Sequence, residues 1–325
     1  MKTNPLARTF EGNTRLALVL AAGLMLLLGA VLFARASTAA GAEPSEDLGH
    51  DLEFIVEDGG ESYFVRVDFL FAGGATEADK AAASEAMAAR FAGATRIAHE
   101  DGDVSAQFVT SGPAWANHEV EWFYNAANKP GHLVNEAGTL ASAANTWNEV
   151  GVKWAFHSAG PTTLSTGGCG TTRDSQNTLG WAAQSGNTLA VTCTWSTSGT
   201  NQKYVEVDME LDPQQGWTLG SSGVGTDLQS VALHEFGHAL GLGHTQTAKC
   251  PGSVMCATYV NGTTLREPMS DDIAGAVSLY GPSAGATATP SPRATPFPTA
   301  TATPARTTAI KRGPFKALAA GASRN

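Results

Sequence analysis

The sequence predicts an α+β protein in which a small α+β unit precedes a larger domain built on a mixed, twisted sheet. Short stretches rich in β-branched and aromatic residues alternate along the chain with stretches of helical periodicity. Apolar residues make up 42% of the 325 residues and charged residues only 15%, so the chain can bury a core. The 36 glycines indicate a fold rich in loops. This length allows two modest domains with tails.

Residues 1–42 predict an export signal. The uncharged, mostly apolar run 16–34 follows Arg8 and Arg15 and is succeeded by small residues, which is typical of a secretory signal peptide. The run is also about long enough to cross a bilayer, so an uncleaved membrane anchor through residues 16–34 is an open alternative. Both interpretations place the rest of the chain outside the cytoplasm, either secreted or at the extracellular surface.

Residues 43–115 predict the small α+β unit. Strands are expected at 51–57 and 63–71, on either side of a glycine turn, and a third strand at 104–110. An alanine-rich helix over 76–91 begins at a threonine suited to an N-cap. This unit is either a pro-segment or a permanent accessory domain.

Residues 116–282 predict the larger domain. Its Gly-, Ser- and Thr-rich stretch 158–202 is expected to form long loops held by a disulfide. The predicted regular elements are strands at 120–124, 152–156 and 204–211 and helices at 135–150, 227–240 and 271–280.

The C-terminal end of the chain differs from its body. Residues 283–325 are rich in Pro, Thr and Ala with scattered basic residues, and predict a disordered tail that is a stalk, a wall-contacting arm or an inert extension.

The formal net charge of the whole chain is -10, which argues against a nucleic acid partner because phosphate binding needs clustered positive charge. The sequence does not fix the oligomeric state.

Four cysteines agree with export. They allow three connectivities, of which we predict the pairing of sequence neighbours, Cys169 with Cys193 and Cys250 with Cys256. The sequence contains no C-x-x-C pair, which disfavours thiol redox chemistry and a four-cysteine zinc site.

One eleven-residue stretch carries the chemistry. His234 and His238 are four residues apart on a predicted helix, so both imidazoles lie on one face and can bind one zinc ion. Gly241 lets the chain leave the helix, and the turn brings His244 round as a third ligand. Three histidines leave one coordination position for water. Glu235 lies beside the first ligand, where it can act as general base for zinc-activated water.

This stretch resembles the zinc signature of the metzincin endopeptidases. Met255 follows the last histidine by eleven residues, about where that family has its methionine turn. Within the metzincins, the chain is most similar to the matrixins (matrix metalloprotease-like enzymes). Residues 227–233, 271–281 and 143–147 resemble their active-site, C-terminal and first helices. The resemblance covers roughly 117–281 and implies a metzincin-type catalytic domain that cleaves a polypeptide substrate.

The family's functional residues transfer to this sequence position by position. The resemblance implies that His234, His238 and His244 bind catalytic zinc, that Glu235 is the general base, and that Met255 is a packed floor beneath the metal.

Further positions match less specific family features. Tyr259 falls where matrixins line the pocket for the residue after the scissile bond, and strand 204–211 resembles their substrate-pairing edge strand. Asp271 and Asp272 resemble a pair that braces the methionine turn, although acids at a helix N-terminus explain them nearly as well.

The sequence also departs from the family. Matrixin latency commonly uses a pro-segment cysteine that occupies the zinc, and no cysteine precedes Cys169. A pro-segment must therefore block the cleft otherwise or act as a folding aid. Ala257 replaces a usual proline after the methionine turn. The family's structural zinc and calcium loops lack a clear match, with His157 and Asp174 as isolated candidates, so structural calcium stays open.

Three functions are therefore considered. The leading hypothesis is a secreted or surface-anchored zinc endopeptidase. The alternatives are a catalytically silent binding module on a metzincin scaffold, against which the intact Glu235 argues, and a surface structural protein whose main feature is the tail.

Overall fold

A computed structural model describes residues 51–97, 110, 112–220, 224–245, 250 and 252–284. The predicted signal or anchor, most of the strand predicted at 104–110 and nearly all of the predicted tail lie outside these residues. Within the described part of the chain, no helix has both the length and the apolar character needed to cross a membrane.

The described residues form four helices and eleven strands. The helices are α1 (Glu77–Arg90), α2 (Glu136–Glu149), α3 (Leu228–Leu240) and α4 (Ser270–Tyr280). The strands are β1 (Leu52–Asp58), β2 (Glu61–Ala72), β3 (Thr95–Ile97), β4 (Glu119–Tyr124), β5 (Ala155–Pro161), β6 (Thr178–Trp181), β7 (Thr188–Thr197), β8 (Tyr204–Leu211), β9 (Trp217–Thr218), β10 (Thr226–Asp227) and β11 (Thr258–Tyr259).

One mixed sheet organises the molecule. Its strand order is β3-β1-β2-β7-β8-β6-β4-β5, and β11 pairs separately with β2. The pairs β1–β2, β2–β7 and β7–β8 are antiparallel, whereas β8–β6, β6–β4 and β4–β5 are parallel. The predicted α+β class with a mixed sheet, an active-site helix and a C-terminal helix is confirmed.

The strands of the N-terminal unit continue the sheet of the larger domain. Strand β2 pairs with β7 from Tyr63 opposite Thr197 to Phe71 opposite Thr188. Because side chains alternate between the two faces of a strand, one face of β2 joins a core with β1, α1 and the outer face of β7, while the other faces α3. The predicted domain boundary at residue 115 therefore stays a prediction, because one sheet includes strands from both sides of it.

The expectation of long loops over 158–202 was wrong for β6 and β7. Strand β7 alternates Val191, Cys193 and Trp195 with Thr and Ser, and nine of its ten residues are buried. The β-branched threonines favour a strand as well as a loop, so a Ser- and Thr-rich composition hid the alternation. The predicted strand at 152–156 is also displaced, because β5 begins at Ala155 and Val152 forms only an isolated bridge.

The prediction that residues 204–211 form the edge strand was also wrong. Strand β8 lies between β7 and β6, and all of its residues except Val205 are buried. Its alternating acids are not solvated. Asp208 accepts hydrogen bonds from the backbone N–H groups of Gly168 and Thr178, at 2.7 and 2.8 Å. Buried acids with such partners mimic the polar side of an edge strand in the sequence pattern.

Candidate metal centre

Helix α3 crosses the core and presents the histidines. Its N-cap is Asp227, whose side chain accepts a hydrogen bond from the Ser230 N–H at 3.0 Å, and its C-cap is Gly241. Gly241 has a φ of 117°, a left-handed conformation that a residue with a β-carbon adopts only with strain. The Trp147 indole of α2 donates to the Leu233 carbonyl at 2.9 Å, which holds the two helices together.

The three predicted ligands meet at one point. His234, His238 and His244 each offer a ring nitrogen within 4.8 Å of the others, and the Nε2 atoms of the first two are 2.8 Å apart. Their side chains are almost completely buried, at 2%, 0% and 2% exposed. A helix pair at i and i+4 followed by a glycine turn therefore brings the rings together as the sequence predicts.

Backbone carbonyls fix which nitrogen faces the centre. The Nδ1 atoms of His234 and His238 lie 2.7 Å and 2.8 Å from the carbonyl oxygens of Val254 and Leu242. A ring that donates from Nδ1 presents a bare lone pair at Nε2, and two lone pairs at 2.8 Å repel each other unless a cation lies between them. Both ring nitrogens of His244 are buried without a hydrogen-bond partner among the described residues. This arrangement fits a zinc ion.

Burial keeps the first two imidazoles neutral. It lowers the pKa of His234 to about 3, and it lowers the pKa of His238 well below its ordinary value. Neutral imidazole is the form that binds metal.

Glu235 lies beside the histidines with one oxygen held and one free for chemistry. The Thr192 hydroxyl of β7 donates to Oε2 of Glu235 at 2.6 Å, while Oε1 has no hydrogen-bond partner in the described part of the chain. Burial raises the pKa of Glu235 to about 8, against the lowering effect of the Thr192 hydroxyl. The unengaged oxygen leaves this carboxyl group available as a proton acceptor beside the histidines.

Met255 packs beneath α3. A β-carbon at Gly237 would collide with the Met255 sulfur, so the glycine inside the histidine motif makes room for the methionine. The Met255 carbonyl accepts a hydrogen bond from the Thr245 N–H at 2.8 Å, which ties the turn to the end of the histidine stretch.

Helix α4 braces the same turn. Asp272 accepts hydrogen bonds from the Ser253 hydroxyl at 2.5 Å and from the N–H groups of Val254 and Met269 at 3.1 and 2.8 Å. It therefore supports the turn and caps its own helix, so the two sequence interpretations are compatible. Asp271 contributes one longer contact, from the Thr245 hydroxyl at 3.3 Å.

Both predicted disulfides are formed. Cys169–Cys193 joins the loop before β6 to β7, and Cys250–Cys256 brackets the methionine turn.

Tyr259 is buried close to the start of α3. Its hydroxyl accepts a hydrogen bond from the Asp227 N–H at 3.2 Å and donates to the Thr263 carbonyl. Strand β11, which contains it, pairs in parallel with Phe71–Ala72 of β2.

Two acids and an arginine of the N-terminal unit were missed as site residues. The guanidinium group of Arg66 donates to Oδ1 of Asp68 at 2.8 Å and to Oδ2 of Asp51 at 2.6 Å. Asp51, Asp68 and His244 form a second group that could hold a metal, with one ligand atom each within 4.8 Å. The available signal was an arginine and an aspartate inside the otherwise apolar strand of residues 63–71.

The isolated candidates for structural metal sites are not brought together. His157 lies 3.4 Å from the exposed Glu119, and Asp174 accepts a hydrogen bond from Gln176 N–H in its own loop. Among the described residues, neither belongs to a group of three or more metal-binding side chains. Structural calcium therefore stays a prediction.

Comparison with known proteins shows which family one part of the chain resembles. The family model described as Matrixin matches residues 174–281. Over these residues the chain is similar to the matrixins. Stromelysin-3 of Xenopus laevis is 43% identical over 91 residues, 27% of this chain and 17% of the relative. Human matrix metalloproteinase-25 is 45% identical over 78 residues, which are 23% of this chain and 13% of the relative. Human matrilysin is 43% identical over 75 residues, which are 23% of this chain and 27% of the relative.

The matched region is the part of the chain that contains the histidine site. The chain covers only 17% of the length of stromelysin-3, so the similarity concerns one segment of a larger protein. Matrixins use a catalytic zinc ion, and the three-histidine group of this matrixin-like domain has the matching donor set.

Proposed function

We propose that this chain is a zinc-dependent endopeptidase that hydrolyses peptide bonds in extended polypeptides. The observation that carries the proposal is the convergence of three imidazoles beside a buried carboxyl group, Glu235, with one unengaged oxygen. A structural metal site is usually closed by four protein ligands and needs no base, whereas a hydrolytic site needs both an open position and a proton acceptor.

The zinc ion, when bound by His234, His238 and His244, supplies Lewis-acid activation of water and of the substrate carbonyl. Glu235 takes the proton from the attacking water on Oε1 and later gives it to the leaving amine. The Thr192 hydroxyl holds Oε2, so the carboxyl group keeps one orientation through both transfers. The lining role of Tyr259 and the packing role of Met255 complete the proposed site.

Substrate would be held as an added strand. Extended peptides gain affinity from main-chain hydrogen bonds to a strand edge, and side-chain pockets add specificity. In this fold β7 is nearest to α3 on the side of the histidines, so β7, and not β8, is the proposed substrate strand. Because β7 pairs with both β2 and β8, the substrate would have to take the place of β2.

We also propose that the protein acts outside the cytoplasm. This proposal rests on the apolar run 16–34 and on the two disulfides, which persist in oxidising compartments. Cleavage of the run would release the protein, and its retention would anchor it.

A second candidate is a catalytically silent binding module on the same scaffold. It is favoured by the burial of all three histidines, which keeps solvent and substrate from the site while residues 51–72 remain in their position.

Cleavage of an unfolded protein substrate distinguishes these functions. The secreted full chain is assayed before and after limited proteolysis, with and without a zinc chelator, alongside Glu235→Ala and the exposed control Glu149→Ala. We expect cleavage by the wild type and by Glu149→Ala, abolished by the chelator, and at least about 1000-fold less by Glu235→Ala because the proton acceptor is lost. A Glu235→Ala protein that cleaves as fast as the control would refute the assignment.

A further inference from the structure

The two disulfides of this protein differ in their surroundings. Cys169 and Cys193 are 1% and 0% exposed and lie in the core that β1, β2 and α1 share with β7. Cys256 is also buried, but its partner Cys250 is only partly buried. A dithiol in solution can therefore reach Cys250–Cys256 in the folded protein, whereas it reaches Cys169–Cys193 only when the core opens.

The partly exposed disulfide closes a short loop that contains the methionine turn. Its two cysteines are six positions apart in the sequence. Among the described residues of 250–257, none belongs to a helix or a strand, and β11 begins only at Thr258. The loop is therefore held by the disulfide and by bonds to neighbouring segments, and not by a regular element of its own.

This loop contacts the segments of two of the three histidines. The Val254 carbonyl oxygen lies 2.7 Å from Nδ1 of His234. The Met255 carbonyl accepts a hydrogen bond from the N–H group of Thr245 at 2.8 Å, and Thr245 directly follows His244 in the sequence. One loop thus orients the first proposed ligand and holds the segment of the third.

Reduction of the disulfide would release the chain next to these contacts. Cys256 directly follows Met255, whose side chain packs against Gly237 between two of the proposed ligands. A disulfide restricts the conformations of the loop that it closes. Loss of a partner that orients a metal-binding histidine typically lowers metal affinity by about 10- to 100-fold. Reduction should therefore weaken metal binding without removing any ligand.

We propose that Cys250–Cys256 is a redox modification site that sets how tightly the three histidines hold their metal. One thiolate of an external dithiol attacks Sγ of Cys250, forms a mixed disulfide and releases Cys256 as a thiolate. The second thiolate of the reductant then displaces Cys250, so the reductant leaves as a cyclic disulfide and its two protons pass to the two cysteines. An oxidised dithiol reverses these steps. The inference rests on the proposed function only for its effect on peptide cleavage.

Thiol labelling of the folded, zinc-loaded full chain provides the first test. The probe is dithiothreitol, and the thiols that it exposes are alkylated at intervals and identified by mass spectrometry. We expect Cys250 and Cys256 to be labelled at least about 10-fold faster than Cys169 and Cys193, because reduction of the second pair requires opening of the core. Equal labelling rates for the two pairs would overturn the proposal.

Zinc loss to a chelator tests the effect on the metal without any catalysis. The wild type is reduced, freed of dithiothreitol in the absence of air, reloaded with zinc and mixed with excess chelator, alongside oxidised and reoxidised protein. We expect zinc loss at least about 10-fold faster from the reduced form, and the original rate after reoxidation. The same rate in all three forms, with Cys169–Cys193 intact throughout, would show that this disulfide does not control the metal.

A double variant with Cys250→Ser and Cys256→Ser is the matched control. It cannot form the bond, so its zinc loss should be as fast as that of the reduced wild type and should not change after treatment with dithiothreitol. A variant that still responds to dithiothreitol would place the response at Cys169–Cys193 and contradict the proposed site. The wild-type comparison remains decisive if this variant does not fold.

Peptide cleavage at limiting zinc separates failure of this inference from failure of the proposed function. We expect reduced wild type to cleave an unfolded substrate at least about 10-fold more slowly than the oxidised form, and to regain the rate when zinc is added. Equal cleavage by both forms, together with unchanged zinc loss, would overturn the redox site and leave the endopeptidase intact. Altered zinc loss with no cleavage by any form, including proteolysed wild type, would instead overturn the endopeptidase and leave the redox site in place.

Discussion

At the scale of single residues, the site depends on partners that hold reactive atoms in one orientation. Backbone carbonyls engage Nδ1 of His234 and His238, and the Thr192 hydroxyl engages one oxygen of Glu235. In the histidines this leaves Nε2 for the metal, and in Glu235 it leaves Oε1 for the proton. The ligand types follow from the sequence motif, but these partners come from distant segments and follow only from the fold.

Thr192 tests this idea directly. In Thr192→Val, Oε2 of Glu235 loses its donor, so we expect kcat for peptide cleavage to fall about 10-fold with KM and zinc content nearly unchanged. Thr194→Val is a matched control, because the Thr194 hydroxyl is buried on the same strand without a hydrogen-bond partner in the described part of the protein. If both variants lose activity equally, Thr192 has no positioning role.

The buried Glu206 should make the free energy of unfolding depend on pH. Burial raises the pKa of its carboxyl to about 7 from an ordinary 4.5, although the N–H groups of Ser175 and Asp174 and the charge of Arg173 lower it and the charge of Asp174 raises it. A raised folded-state pKa gives stability that is complete below the unfolded value and is lost as pH rises through the folded value. Relative to Glu206→Gln, wild type should therefore lose about 1–3 kcal/mol of unfolding free energy between pH 4.5 and pH 7.5.

Denaturant unfolding of both proteins at several pH values checks this expectation. A constant difference between wild type and Glu206→Gln across this range would show that the carboxyl titrates normally in the folded protein.

At the scale of elements, the methionine turn is fixed by a helix that contributes no proposed ligand. Asp272 at the start of α4 bonds to two residues of the turn, and the Cys250–Cys256 disulfide brackets it. Within this turn, the Val254 carbonyl bonds to His234 and the Met255 side chain packs under α3. A substitution at the start of α4 should therefore change how tightly the metal is bound.

Asp272→Ala removes this brace. Three hydrogen bonds to a buried carboxylate are lost, so we expect the free energy of unfolding to fall by about 2–4 kcal/mol and zinc to dissociate faster. Asp271→Ala is the matched control at the next position, with an expected loss below about 1 kcal/mol because it accepts one long contact. Equal destabilisation by both variants would indicate a general helix N-terminal effect.

At the scale of the whole molecule, the N-terminal unit and the matrixin-like domain share one sheet. They also share a core, since Val191, Cys193 and Trp195 of β7 pack with β1, β2 and α1. Arg90 of α1 makes a bidentate pair with the fully buried Glu210 of β8, at 2.7 and 2.6 Å. The two parts are therefore expected to unfold together as long as the chain is intact.

Calorimetry of the intact chain tests this expectation. We predict one thermal transition with equal calorimetric and van't Hoff enthalpies, because separating the parts would expose β7 and remove the arginine that pairs with the buried Glu210. Arg90→Ala should lower the transition temperature without splitting the transition. Two separate transitions in the wild type would contradict the shared sheet.

The sequence predicts local features of this fold better than its long-range pairing. The histidine motif, the helix that carries it and the two disulfides depend on short spacings, so they could be predicted. Strand β7 was hidden by its threonines, and β8 was misplaced because buried acids look like solvated ones. The pairing of Asp68 with Thr192 joins strands far apart in sequence, and no local pattern reports such a register.

Zinc content of purified variants tests the central claim most directly. Metal analysis of the full-length wild type should give one zinc ion per chain, Glu235→Ala should also give one, and His238→Ala should give less than about one tenth, because two imidazoles do not hold zinc tightly at this site. One equivalent of zinc retained by His238→Ala, or none in the folded wild type, would contradict a three-histidine metal centre.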